Sequence, residues 1–283
     1  LYVPGIGGLL FGQRLAAVRE AAGVTRLEAA REVGDKTDIR IRHWEAGRRL
    51  PKFEVVALLG RRYGLDEAAI NGLQVMREEA NTPSRWGSYG LPESAVTYLG
   101  LEDDAAEICT NDGMIVPGLL QAEAYMRRLF AVAGVDGGAV NNRVAARLLR
   151  QEHLTVVGKD EPLRLTTVIS EAVLRWVAHE PKEVAVQQLE HLLDRAQWSN
   201  VEIRVLPFDA GLHPGMDGPF SLLRFPKGLL KDLAYVESAS GGHLIDECPT
   251  VTRLDTLFHD LHSQALPPEE SLAIIAQVAD ETR

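Results

Sequence analysis

The chain has 283 residues, 46% of them hydrophobic and 25% charged, a composition that excludes a disordered or collagen-like protein. Its 30 basic and 40 acidic side chains give a formal net charge of −10, which taken whole speaks against a polyanionic partner. By segment the charge divides: residues 1–80 carry 13 basic and 11 acidic side chains, a net +2, and residues 81–283 carry 17 and 29, a net −12. A nucleic-acid reader at the N-terminus therefore stays open. No apolar run approaches the ~20 residues of a membrane span. The opening Leu1–Phe11 lacks the basic start of a signal peptide, so a cytoplasmic protein is expected. Leu1 stands where an initiator Met would, so a start upstream or a removed one is expected. Cys109 and Cys248 lie far apart with no ligand spacing, which fits a reducing compartment and two buried, apolar thiols.

Residues 1–10 are Gly-rich and read as an arm. Phe11, Leu15, Val18 and Ala22 then recur on one face of a first helix, which Gly23 ends. Thr25 is an N-cap, with Glu28 completing a capping box, for a short helix to Val33. Gly34 begins a turn, and a third helix of about nine residues runs to Ala46. Pro51 opens a fourth with the face Phe53, Val56, Leu59 and Tyr63, and Asp66 caps a fifth through Ile70 and Leu73. The expectation is an all-α domain over residues 11–80, followed by a turn-rich linker at 81–92. Over 93–283, helices are expected near 93–110, 117–133, 138–153, 170–178, 182–198, 250–264 and 268–281. Strands are expected at Leu163–Ile169, Val201–Leu206, Phe220–Phe225 and Leu233–Val236. Gly/Pro/Asp-rich turns between the last three suggest an α+β domain with a small, mainly antiparallel sheet.

Residues 23–51 read as a helix-turn-helix. The small Ala30 lets two helices cross closely, Gly34 allows the turn, and Ile41 with Trp44 anchors the third helix. Thr37, Asp38, Arg40, Arg42 and His43 then face outward as candidate base contacts, Arg40 being suited to bidentate pairing with guanine. Arg26, Lys36, Arg48, Arg49 and Lys52 are the candidate phosphate contacts. Residues 36–62 carry eight basic and three acidic side chains, a net +5. Charge alone would favour the solvated face of an ordinary helical bundle. Glu45-Ala46-Gly47-Arg48-Arg49 in register behind Ile41 and Trp44 reverses that in favour of a DNA reader. With Glu45, Gly47 and Pro51 in a Glu-x-Gly-x-x-x-Pro pattern, residues 11–75 resemble the Xre/Cro-repressor helix-turn-helix family. The interval from Gly34 to Glu45 is one residue longer than that family's usual spacing, and Asp38 stands where it often has Gln.

The remainder holds no Walker loop, dinucleotide fingerprint, His-Glu-x-x-His or Gly-x-Ser-x-Gly, so no catalytic residue, metal or cofactor is expected. His259 and His262, one turn apart, read as a surface pair before a metal site. His213 and Asp217 in the loop Gly211–Phe220 could line a pocket, although a long connection needing glycines explains the loop as well. Arg147, Arg150 and Gln151, on adjacent helical positions, could reach Glu171 or Glu237 in an internal polar network before an effector site, and Gln121, Arg147, Gln151, Glu171, Arg175 and Glu237 are the candidate ligand or partner residues. Blocks at Val116–Gln121, Ala146–Gln151, Glu171–Arg175, Gln188–Leu192, Val205–His213 and Tyr235–Glu237 resemble the antitoxin-like domain of actinobacterial Xre-type regulators, a group that includes the WhiJ-like regulators. That resemblance implies a transcriptional regulator of double-stranded DNA, controlled by a small protein encoded nearby or by a ligand. A short recognition helix buries little DNA, so a homodimer is expected. The rival reading is a DNA-tethered enzyme or small-molecule sensor with a site around His213, Asp217, Glu171 and Arg175.

Overall fold

Capping and apolar periodicity build the first part of the chain. The computed structural model describes residues 6–82, 84–155, 161–226, 230–238 and 241–283, and these fall into two compact units. The first contains α1 (Ile6–Ala21), α2 (Arg26–Glu32), α3 (Ile39–Glu45), α4 (Phe53–Arg62) and α5 (Glu67–Ala80). Phe11, Leu15, Ala29, Ala30, Ile41, Trp44, Val56, Leu59 and Leu73 form its core. The Thr25–Glu28 capping box is present, and the Asp66 carboxylate accepts the Ala69 N–H at 2.8 Å. Phe53 and Ala22, expected in the core, are exposed.

Of the expected N-terminal arm, residues 1–5 lie outside the described residues, and from Ile6 onward it is α1. Its glycines serve packing rather than freedom. A Cβ on Gly12 would stand 2.4 Å from the Glu45 carbonyl oxygen, so the bare backbone lets α1 lie directly on the end of α3. Gly47, at φ +66°, turns the chain out of α3 and meets the Gly8 backbone in the same way. Within the expected linker, Arg85–Tyr89 forms a 3-10 turn with a fully buried Trp86, whose indole donates to Asp103 at 2.9 Å. The following helix α6 (Glu93–Glu102) belongs mostly to this first unit.

The second unit is a sheet covered by helices. Its elements are β1 (Glu107–Asp112), α7 (Glu123–Val132), α8 (Gly137–Gln151), β2 (Arg164–Ser170), α9 (Glu171–Ala178), α10 (Lys182–Arg195) and β3 (Val201–Leu206). They are followed by β4 (Phe220–Arg224), β5 (Leu233–Ser238), β6 (Gly241–Ile245), α11 (Cys248–Gln264) and α12 (Pro268–Thr282). The strand order is β3-β2-β1-β4-β5-β6. β1, β2 and β3 pair in parallel, and β1, β4, β5 and β6 pair antiparallel.

The sheet is therefore mixed, which corrects the mainly antiparallel expectation. The helical crossovers α7–α8 and α9–α10 return the chain to the same end of the sheet, and parallel pairing needs such a return. β1 was hidden inside a helix expected over 93–110; as the central strand it is buried on both faces, and its short apolar run lacks clean alternation. Cys109, Val168, Leu222 and Ala234 pack under Val251, Leu254 and Phe258 of α11 on one face. Ile108, Thr110, Leu165 and Thr167 are buried on the other. Cys109 is buried as expected, whereas Cys248 is exposed at the start of α11.

Candidate functional site

The helix-turn-helix geometry begins with a buried carboxylate. Glu45, at the end of α3, is almost wholly enclosed and takes both oxygens of its side chain to arginines. Arg19 of α1 grips it through Nε and through Nη2 at 3.1 Å, and also donates to the Val24 carbonyl at 2.9 Å. Arg26, expected against phosphate, turns its Nε to Glu45 at 2.6 Å while remaining half exposed. Three helices are thereby locked in one orientation by a charge that cannot go unpaired. Arg19 is the residue that sequence reasoning missed; its place one turn beyond Leu15, on the otherwise apolar face of α1, was the available signal.

On this support α3 turns its charged side outward. Thr37, Lys36, Arg40, Arg42, Arg48, Arg49 and Lys52 are exposed, and Asp38 and His43 are half-buried. Arg40 pairs with Asp35 and lies over the Trp44 ring, 5.5 Å from its centre. Arg42 pairs with Asp38 at 3.1 Å. The two arginines among the candidate base readers are thus held by local carboxylates. Exposed pairs of this kind contribute only about 0–1 kcal/mol, so exchanging them for nucleic-acid acceptors is cheap.

In the second unit a polar network closes around the exit from β1. Gln121 is fully buried; it donates to the Val116 carbonyl at 2.7 Å, accepts from Arg147, and offers its backbone carbonyl to Gln151 at 2.7 Å. Gln188 of α10 brackets the same segment, accepting the Ala122 N–H and donating to the Leu120 carbonyl, each at 2.8 Å. Arg147 is half-buried with its guanidinium over the Phe130 ring at 4.7 Å; desolvation first, then Arg150, pulls its pKa down to about 10. Gln121, Arg147 and Gln151 form one network that acts first on backbone groups, with Arg147 and Gln151 bonded to Gln121 and not to the expected Glu171 or Glu237.

Two family matches correspond to these two units. Residues 10–73 match a helix-turn-helix domain, and residues 95–277 match the domain of unknown function DUF5753. The chain belongs to the DUF5753 family. No curated protein and no solved structure matches it.

The remaining candidate residues are dispersed through the DUF5753 domain. Glu171 and Arg175 pair along α9 at 3.1 Å; Arg175 also reaches Glu281 at 2.8 Å, and Glu171 accepts the Phe208 N–H at 3.1 Å. Asp217 is exposed, while His213 is half-buried with Nδ1 unpartnered. Glu237 is exposed at the end of β5. His262 meets Glu202 at 2.9 Å and His259 lies 3.7 Å from Asp255. No cluster of three metal-ligating side chains occurs among the described residues. No helix among them is long and apolar enough to cross a membrane.

The DUF5753 domain also holds a carboxylate that the sequence reading passed over, because it ends the unrecognised β1. Asp112 is half-buried as a residue, but its carboxylate is enclosed with Oδ2 unpartnered. Burial raises its pKa from 3.8 to about 7; Glu237 adds to the rise, and the Thr110 and Thr167 hydroxyls oppose it. An acid raised on folding holds its proton more tightly in the native state. Its stabilising contribution is full below the unfolded value of 3.8 and is lost as pH rises towards about 7. Asp112→Asn should therefore be more stable than the parent at pH 8 by about 1–3 kcal/mol, with little difference near pH 4. Denaturant unfolding of both chains at the two pH values tests this, and an equal gap at both would refute it.

Proposed function

We propose that the chain is a sequence-specific DNA-binding transcriptional regulator of the Xre type. The observation that carries this reading is the outward row of Arg40, Arg42, Arg48, Arg49 and Lys52, set on an α3 locked from behind by the buried Glu45–Arg19–Arg26 group. α3 reads base edges, and the basic turn after it grips phosphate. The protein acts in the cytoplasm as a homodimer, whose two recognition helices compensate for the small DNA surface that one covers. Its DUF5753 domain, with the acidic bulk of the chain, repels DNA and receives the controlling signal. By its sequence blocks that domain is antitoxin-like, of the actinobacterial WhiJ kind, and the signal is a small protein encoded nearby or a ligand. The reading assigns the chain no catalysis: Glu171 and Arg175 are occupied with each other, and Asp217 stands exposed.

Selection of bound DNA from a random pool, at low salt, tests the reading. Enrichment of paired half-sites is expected, and absence of any enrichment with a folded protein would overturn it. Two variants then divide the labour. Arg40→Ala should lose about 1–3 kcal/mol of discrimination between selected and random DNA. Arg48→Ala should weaken both alike and reduce the slope of log affinity against log salt by about one. Equal losses on both DNAs for Arg40→Ala would refute its role in base reading.

A further inference from the structure

A cleft of about 350 Å³ opens between α8 and α10, with Gln121 and Gln151 of the buried network on its floor. The volume lies in the range of small-ligand sites. Two side chains lining it keep a buried nitrogen with no hydrogen-bond partner among the described residues: Nε2 of His191 and Nε of Arg195. Buried polar atoms are nearly always satisfied, so two orphans in one cleft point to a missing partner. The Arg195 guanidinium lies over the Trp198 ring, 4.1 Å from its centre. Arg195 forms no ion pair among the described residues. Burial, reinforced by the Arg195 charge, pulls the His191 pKa down to about 4, so the imidazole is neutral at pH 7.

The same cleft also carries the reverse sign, from Glu190 and Asp194 beside His191 and Arg195 on α10 and from Glu123 at the start of α7. Glu123 is shared with Arg127 at 2.7 Å and Glu190 with Arg283 at 3.0 Å, while Asp194 is exposed. An inorganic phosphate would meet the guanidinium but also face three carboxylates. A simple cation would face the guanidinium. A molecule with both charges satisfies both kinds of group, its carboxylate accepting the fork geometry of arginine.

We propose that this cleft binds a small zwitterionic amino-carboxylate, from a single amino acid to a dipeptide in size. Its carboxylate accepts from Arg195 and His191, and its ammonium lies against Glu123, Glu190 and Asp194. Gln121 and Gln151 join the cleft floor to the segment leaving β1, so an occupant contacts the joint that holds α8 and α10 on that segment. The regulatory consequence rests on the function proposed above; the binding itself does not.

The test is calorimetric titration of the full chain with each of the twenty common L-amino acids and with glycylglycine. Acetate, methylammonium and inorganic phosphate serve as single-charge controls. One or more zwitterions should bind at one site per chain, more tightly than any control. Arg195→Gln should weaken that binding roughly tenfold or more, as expected for loss of a charge-assisted fork. Asp194→Asn, at an exposed position where folding is not at risk, should weaken it to a smaller extent. No binding by any zwitterion, equal binding by a control, or unchanged binding in both variants would overturn the proposal. DNA selection is scored separately: enrichment without zwitterion binding removes this site and leaves the regulator, and binding without enrichment does the reverse.

Discussion

Glu45→Ala is expected to destabilise the helix-turn-helix unit by about 3–5 kcal/mol, the cost of stranding a buried charge by removing its partner. The stranded group is Arg19, whose side chain is only 7% exposed and whose pKa is raised chiefly by its hydrogen bonds to Glu45. Arg26, 45% exposed, can return to water at little cost, so the penalty falls on Arg19. Small domains are stable by about 5–15 kcal/mol, so the loss removes a large fraction of the stability of the unit and opens α1 and α3 far more often. Amide hydrogen exchange in Ile6–Ala21 and Ile39–Glu45 checks this within the full chain. Protection there should collapse while that of the central strands β1 and β2 is retained. A paired replacement, Arg19→Met with Glu45→Leu, should recover most of the loss, because apolar groups remove both desolvation penalties together. If Glu45→Ala leaves exchange in α1 and α3 unchanged, the buried ion group is not what holds these helices together.

The second large effect is expected at Gln188. Gln188→Leu nearly preserves volume but strands the Leu120 carbonyl and the Ala122 N–H, both of which the amide now satisfies. Each unsatisfied buried group costs about 1–3 kcal/mol, so the DUF5753 domain should lose roughly 2–5 kcal/mol. Gln187→Leu, one position along α10 and exposed, should change stability by no more than about 0.5 kcal/mol. Guanidinium unfolding of the two variants beside the parent gives the comparison. Equal behaviour would show that the segment from Val116 to Ala122 is held by packing and not by this amide.

The first unit was readable because its signals are local. Thr25 with Glu28 and Asp66 with Ala69 act within three residues, and Ile41 with Trp44 lie on one helical face. The glycines were harder: Gly12 belongs to α1 because the Glu45 carbonyl comes within 2.4 Å of where a Cβ would stand, a contact between residues 33 positions apart in the chain. β1 failed for a related reason. A central strand buried on both faces has no alternation to show, and losing it concealed both the parallel half of the sheet and Asp112 at its end. His191 and Arg195 sit in the helix expected at 182–198, yet nothing in their spacing marks a cleft, because the opposite wall comes from α7 and α8.

Composition, caps and apolar spacing determined by themselves that a small basic helical reader precedes a larger acidic domain, and they determined which arginines would face outward. Only the tertiary structure decided that Arg19 and Arg26 close over Glu45, that the sheet is mixed, and that the Gln121 network lies beside an open cleft. The division follows from range. Capping and periodicity act over a few residues along the chain. Ion-pair burial, strand order and cavities depend on which distant segments meet, and here those meetings are fixed by bare glycine backbone, helical crossovers and buried amides.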